Sequence, residues 1–296
     1  MMRRFICLLA AFAALAACQR EEAPCNCDSQ MITFGISGIG ARMTTRAYAE
    51  NTAASVQESG FSVAAVNGTS LMFNSVASYS GGVYLPQGSP YYFPASGSLD
   101  FYAAFPASHD VNVTSGVATL SYEQDADEDL LVCAVMGATS QGQSVGIVFD
   151  HALSLLRFKA LGANGDVVYK VTSVKVGAPS SALYSFSEGA WLNAGSYGDV
   201  VYSSAVTTLG SSATVIDGAV TVIPCIPVVS VEWSVYAPDG NTLIGSYSSS
   251  KSLGAALSMG HETTVTLTLP DGEVDGVSFS VNVNPWVPEE HNLILD

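Results

Sequence analysis

The sequence predicts an all-β chain built as two β-sandwich domains in tandem, on three observations. Short alternating or wholly apolar runs recur at 61–66, 70–74, 83–86, 91–94, 99–106, 117–122, 130–136, 145–150 and 155–161. They continue at 167–176, 183–187, 200–206, 220–224, 229–238, 242–247, 263–270 and 277–284. Gly, Pro, Asn and Asp punctuate them, which is the spacing of strands joined by turns. No segment sustains a 3.6-residue apolar period beyond about three turns, and residues 47–59 are the best helical candidate, a weak one. The hydrophobic fraction is 48% and the charged fraction only 12%, with abundant Gly, Ser, Thr, Val and Tyr; that is the usage of an extracellular β-protein.

The length of 296 residues is long for one sandwich and sufficient for two. The Gly/Gln/Ser stretch at 142–144 reads as the linker between them. The expected organisation is a signal over 1–17, a tether over 18–30, an N-terminal sandwich over 31–143 and a C-terminal sandwich over 144–296. The net charge of −16 repels phosphate backbones and anionic lipid heads. Nucleic-acid binding is therefore not expected, and solubility outside the cell explains the acidity.

The N-terminus begins with Arg3 and Arg4, continues with an apolar run from Phe5 to Leu15 and ends in small residues. That is a secretion signal, too short for a spanning helix. Leu15-Ala16-Ala17-Cys18 is similar to a bacterial lipobox, whose cysteine is acylated and becomes the mature N-terminus. Each buried CH₂ contributes ~0.8 kcal/mol, so several acyl chains on Cys18 hold a protein firmly on a membrane. The lipid on Cys18 is the only membrane contact expected. Gln19-Arg20-Glu21-Glu22 resembles the charged tag of surface-exposed Bacteroidetes lipoproteins, which places the precursor on the outer membrane facing outward.

The stretch 31–46, MITFGISGIGARMTTR, follows the tether. It reads as a first strand with Ile32, Phe34 and Ile36 on one face. Next comes a segment with the only two basic residues between Arg20 and Arg157, namely Arg42 and Arg46. A strand followed by a protease-type site, just past a lipid attachment point, suggests a strand made to be removed.

No catalytic equipment is expected. Gly142-Gln143-Ser144-Val145-Gly146 matches G-x-S-x-G, but a nucleophile elbow needs a strand before it and a helix after, and here the strand comes after. Ser248-Ser249-Ser250-Lys251 contains S-x-x-K in what reads as a polar turn. The acidic run Glu123, Asp125, Asp127, Glu128, Asp129 lacks the mid-loop Gly and closing Glu of an EF-hand and reads as a solvated loop. His109, His151, His261 and His291 are scattered without ligand spacing, and His151 reads as a hydrogen-bonded core residue. Gly35, Gly38 and Gly40 have the wrong spacing for a phosphate loop. Tyr91, Tyr92 and Phe93 suggest either a sugar platform or alternating burial in a strand. Cys25 and Cys27 lie in the tether. Cys133 and Cys225 sit in apolar runs, where a buried free thiol is the default, and spacing does not say whether they pair. No metal and no cofactor are expected.

Several motifs together resemble the fimbrillin family of Bacteroidales pili, the Mfa-like and FimA-like pilins of type V fimbriae. The lipobox is followed by an I-x-F strand (Ile32, Phe34) and Thr44-Thr45-Arg46-Ala47, similar to the family's T-R-A site. Pro90-Tyr91-Tyr92-Phe93-Pro94 leads to Leu99-Asp100-Phe101-Tyr102-Ala103-Ala104-Phe105-Pro106, similar to the family's L-D-F-x-A-Y-x-P signature. Asp129-Leu130-Leu131 and Phe149-Asp150-His151-Ala152-Leu153-Ser154 match D-L-x and F-x-H-x-L-x. Met259-Gly260, Val265-Thr266-Leu267 and Pro285-Trp286 fit the closing strand.

The resemblance implies two transthyretin-like β-sandwich domains and a structural subunit of a cell-surface fimbria supporting adhesion, not an enzyme. It also implies cleavage after an arginine, Arg46 before Ala47 with Arg42 as the alternative, which removes the lipid together with the first strand. The groove left by Ile32, Phe34 and Ile36 is then filled by a strand of another subunit, self or related, in head-to-tail order. The donor candidates are Val277, Phe279, Val281 and Val283, which alternate cleanly with polar residues, and the tail with Leu293, Ile294 and Leu295. A host or bacterial surface ligand is the expected adhesion partner. The alternative is a monomeric outer-membrane surface lipoprotein that binds glycans.

Overall fold

The computed structural model describes residues 31–40, 51–140, 142–210, 212–272 and 277–285. In chain order the elements are β1 (Phe34–Ile39), α1 (Ala53–Ser59), β2 (Phe61–Asn67), β3 (Ser70–Ser80), β4 (Val83–Pro86), β5 (Leu99–Phe105), β6 (Asn112–Thr114) and β7 (Val117–Glu123). Then come β8 (Leu131–Ala138), β9 (Val145–His151), β10 (Ser154–Gly162), β11 (Val168–Pro179), β12 (Ser181–Ser185), β13 (Ala190–Leu192) and β14 (Tyr197–Ser203). The last are β15 (Thr207–Thr208), β16 (Thr214–Val222), β17 (Val228–Tyr236), β18 (Leu243–Ser252), β19 (His261–Leu269) and β20 (Ser278–Pro285). The all-β expectation holds. Within 47–59, the helix occupies Ala53–Ser59, started by a reciprocal cap between Thr52 and Ser55 and pinned by buried Val56.

The first sheet closes on itself as a barrel in the order β1-β4-β3-β2-β5-β8-β9. Strand β9 shows why these residues form a strand. Val145, Ile147, Phe149 and His151 are buried while Gly146, Val148 and Asp150 are exposed, a strict period of two. Strand β2 is different, buried at six consecutive positions, because both of its faces are covered. Phe61, Val63 and Ala65 point into the barrel core, with Phe101 and Ala103 of β5. Ala64 and Val66, with Tyr102 and Ala104, point outward into a second core.

That second core is roofed by a four-stranded sheet, β13-β12-β7-β6. It joins distant parts of the chain, since β7 pairs with β12 from Ser181 opposite Glu123 to Ser185 opposite Thr119. A third core lies between β16-β10-β19-β20 and β14-β11-β17-β18, where Trp233, Phe158, Val231 and Leu267 are buried. This is the sandwich arrangement of two sheets on one apolar layer.

Sheet membership changes between His151 and Ser154: β9 completes the barrel and β10 opens the next sheet. The stretch 142–144 directly precedes β9, whose apolar alternation is spent on the barrel core.

The run at 91–94 forms no strand, only an isolated bridge between Met31 and Tyr92; Pro90 and Pro94 flank it and donate nothing to a ladder. Two of its side chains pack against the barrel core instead. Phe93 is buried and Tyr91 stacks on Phe73 at 4.4 Å. Ser248–Lys251 lies within β18 rather than in a turn, and Ser250 Oγ meets Ser230 Oγ at 2.9 Å across the pair. The thiols of Cys133 and Cys225 are both free, and burial pushes each up to about 11.

Gly60 ends α1 at φ 72°, and a Cβ there would collide with the Ala77 carbonyl oxygen. Gly68 has φ 61° but nothing within 4 Å of the same position. Urea unfolding should therefore separate them: Gly60→Ala loses at least about 2 kcal/mol and Gly68→Ala about 1 kcal/mol. Equal losses would mean that the contact with Ala77 is relieved at no cost.

Candidate functional site

The first strand occupies the closing position of the barrel. Its Phe34–Ile39 backbone runs parallel to β9, Phe34 beside Val145 and Ile39 beside Phe149. On its other side it meets β4 at one register position, Phe34 opposite Tyr84. Hydrogen bonds flank the ladder: Ile32 N–H donates to Tyr91 O at 2.8 Å, Val145 N–H to Thr33 O at 2.8 Å and Gly40 N–H to Phe149 O at 2.7 Å. Thr33 Oγ1 and Ser144 Oγ lie 2.8 Å apart. Ser144, the serine of the G-x-S-x-G pattern, is thus spent on the first strand.

The expected inward face is Ile32, Phe34 and Ile36. Ile32 and Phe34 are fully buried in the barrel core, and Ile36 packs against it half-buried. The register breaks between Ile36 and Gly38, so Ser37 bulges outward and Ile39 takes the next place against the core. Phe34 sits edge-on to Phe61 at 5.9 Å and to Phe101 at 5.3 Å. Such aromatic pairs add about 0.5–1.5 kcal/mol beyond area burial.

At the far end of β1 lies a cluster that spacing alone did not reveal. His151 Nδ1 is 2.6 Å from Asp129 Oδ1, with side-chain exposures of 2% and 0%. His151 Nε2–H donates to the Gly40 carbonyl at 2.9 Å. The backbone N–H of Asn51 donates to Asp129 Oδ2 at 3.0 Å, and the Asn51 side-chain amide donates to the Asp129 carbonyl at 2.5 Å. Asp129 therefore departs from the solvated reading of the acidic run, whereas Glu128 pairs near the surface with His109 at 2.8 Å. The signal was present in the D-L and F-x-H motifs, but nothing in their separation says that they meet.

The donor candidates divide. Strand β20 pairs with β19 along its length, from Ser278 opposite Thr268 to Pro285 opposite His261. It is the last strand of its sheet. Val277 is buried in the third core, Phe279 is half-buried against it, and Val281 and Val283 are exposed. Cys18, Arg42, Arg46, Ala47, Leu293, Ile294 and Leu295 lie outside the described residues. Among the described residues no group of three or more His, Cys, Asp or Glu side chains is placed to hold a metal ion.

Among the described residues the chain is almost entirely β-structure, and its first described strand closes a barrel. The fimbrillin-like family profile matches residues 42–286, and the chain belongs to that family. Its fold is that of a fimbrial protein from Bacteroides vulgatus, at TM-score 0.60 and 14% identity over 87% of this chain and 100% of that one. It is also similar to a candidate cell adhesion protein from Parabacteroides distasonis, at TM-score 0.53 and 9% identity over 88% and 98% of the two chains. A third, a candidate cell adhesion protein from Bacteroides uniformis, gives TM-score 0.51 and 15% identity over 87% and 98%. At these identities the likeness is one of fold. A search of curated sequences finds no match. Family membership makes the chain a structural component of the fimbrial class, not an enzyme.

Phe34→Ala should lower the unfolding free energy of the intact chain by about 3–5 kcal/mol, and Ile36→Ala by less than about 2 kcal/mol. Denaturant titration checks both, and similar losses at the two positions would mean that β1 is not held by its buried face.

Proposed function

We propose that this protein is a fimbrial subunit exported as a lipoprotein through Cys18, cut within 41–50, and assembled by replacing β1 with a strand from another subunit. Arg46, before Ala47, is the assigned cut, with Arg42 as the rival. The observation that carries the reading is the lopsided seating of β1. Ile32 and Phe34 are fully buried, yet the strand is paired along one edge and meets the other neighbour at a single position. Large apolar side chains contribute ~1.5–3 kcal/mol each when buried, so an emptied slot is costly and draws an alternating apolar strand. Pilin strand donation is a known form of β-augmentation.

The donor is assigned to the chain beyond β20. Donating β20 itself would strip the ladder from β19 and pull Val277 out of the third core. Donating residues 286–296, with Leu293, Ile294 and Leu295, would do neither. A groove vacated by the first strand and a donor from the C-terminal tail are different surfaces, which makes the contact head-to-tail and grows a filament. Adhesion through that filament, to a host or bacterial surface, follows from the same assignment.

Mass spectrometry and N-terminal sequencing of surface material test the reading. The expected result is polymer starting at Ala47 that lacks β1. Polymer that still carries residues 31–40 would overturn it. A second measurement compares stabilities: replacing Ile32, Phe34 and Ile36 by Ala should weaken the uncut precursor by several kcal/mol and leave assembled fibres unchanged, whereas equal loss in both would refute strand replacement.

A further inference from the structure

Gly40 and Asn51 bracket the segment 41–50 that holds both arginines, and both are bonded to one buried pair. Asp129 takes the Asn51 backbone N–H on Oδ2 and offers its own carbonyl to the Asn51 amide. His151 takes the other end, donating Nε2–H to the Gly40 carbonyl, while Gly40 N–H reaches Phe149 O. A carbonyl only accepts, so Nε2 carries a proton. The 2.6 Å approach of Nδ1 to a carboxylate oxygen places a second proton between those two atoms. Such a proton-sharing pair, buried to 2% and 0% exposure, is a costly way to fill a core that apolar side chains could fill. Its visible product is that two backbone ends, separated by the arginine segment, are held at one place.

We propose that the Asp129–His151 pair is a clasp that joins the ends of segment 41–50 and keeps β1 seated after that segment is cut, so that release needs an incoming strand and not cutting alone. The proposal rests on the strand-replacement reading above. It holds for a cut at Arg42 or at Arg46, since either leaves Gly40 on His151 and Asn51 on Asp129. It also states what the incoming strand must bring to this end of the groove. A backbone N–H has to meet Phe149 O and a backbone C=O has to meet His151 Nε2 at the place Gly40 now holds. A Cβ at Gly40 would lie 3.5 Å from Phe149 O and 3.6 Å from His151 Cδ2, ordinary contact, so this place accepts a side chain. It refuses proline, which lacks the donor.

The test uses the full chain, cut in 41–50 by limited trypsin treatment, with native mass spectrometry following loss of the N-terminal peptide. A synthetic peptide of residues 286–296 serves as the competing strand. Without it, the cut wild type should retain its N-terminal peptide, and His151→Gln and Asp129→Asn should lose it at least about tenfold faster. Leu153→Ala, at a buried position of the second core rather than the barrel core, serves as the control for general destabilisation. With a comparable fall in Tm it should release the peptide near the wild-type rate. Release from His151→Gln at the wild-type rate, or equally fast release from Leu153→Ala, would overturn the clasp. Hydrogen exchange on the cut wild type gives an answer even where a variant does not fold. Protection at Gly40 should survive the cut, and its collapse on cutting would also overturn the proposal. Failure of the strand-replacement reading looks different: the N-terminal peptide would stay on the wild type and every variant even with the competing peptide in excess.

Discussion

A closed barrel cannot leave one stave out, and in this protein the closing stave is the first of the described strands. β1 joins β9 along five register positions and β4 at one. Backbone pairing alone would hold it weakly. The rest of its grip comes from Ile32 and Phe34, which enter a core built from Phe61, Phe101 and Phe149. The barrel therefore depends on apolar burial by a strand that the chain reaches before any other described element. Burial of this kind is strong but non-directional, so an alternating apolar strand from elsewhere could satisfy the same slot.

The three cores are arranged so that such an exchange stays local. Ile32 and Phe34 belong to the barrel core, and no described residue of β1 enters the other two. The second core is secured from the opposite side of β2 and β5 by the sheet that β7 and β12 share. Trp191, in strand β13 of that sheet, donates Nε1–H to Ala152 O at 2.7 Å, which ties the roof to the chain just after β9. The third core is a sandwich with its own ladder of strands and its own tryptophan, Trp233, bonded to Pro270 O. Removal of β1 would open one core and leave two intact.

Most of this was legible because strands announce themselves by period. The runs at 83–86 and 99–106 appear as β4 and β5, and 145–150 as β9, since alternation or double-sided burial leaves a local trace in composition. Edges were less legible. The short strands β6, β13 and β15 have three residues or fewer and no pattern to read. The run at 91–94 has strand composition but is fenced by prolines, and beyond one isolated bridge it packs without forming a ladder. The last position of the acidic run, Asp129, looked like its solvated neighbours because burial of a charged residue depends on its partner, and that partner, His151, stands far along the chain.

The class of fold, the family and the apolar face of the first strand could be read from residue order, since each is written in the kind and spacing of neighbouring residues. Folding in three dimensions was needed to see that β9 belongs to the barrel, that β7 and β12 share one sheet, that β20 is bound within its own chain, and that Gly40 and Asn51 meet one buried Asp–His pair. The reason is physical. Period and propensity act over a few residues, whereas partner choice, parallel register and the placing of a buried proton are settled by which distant segments can exclude water together.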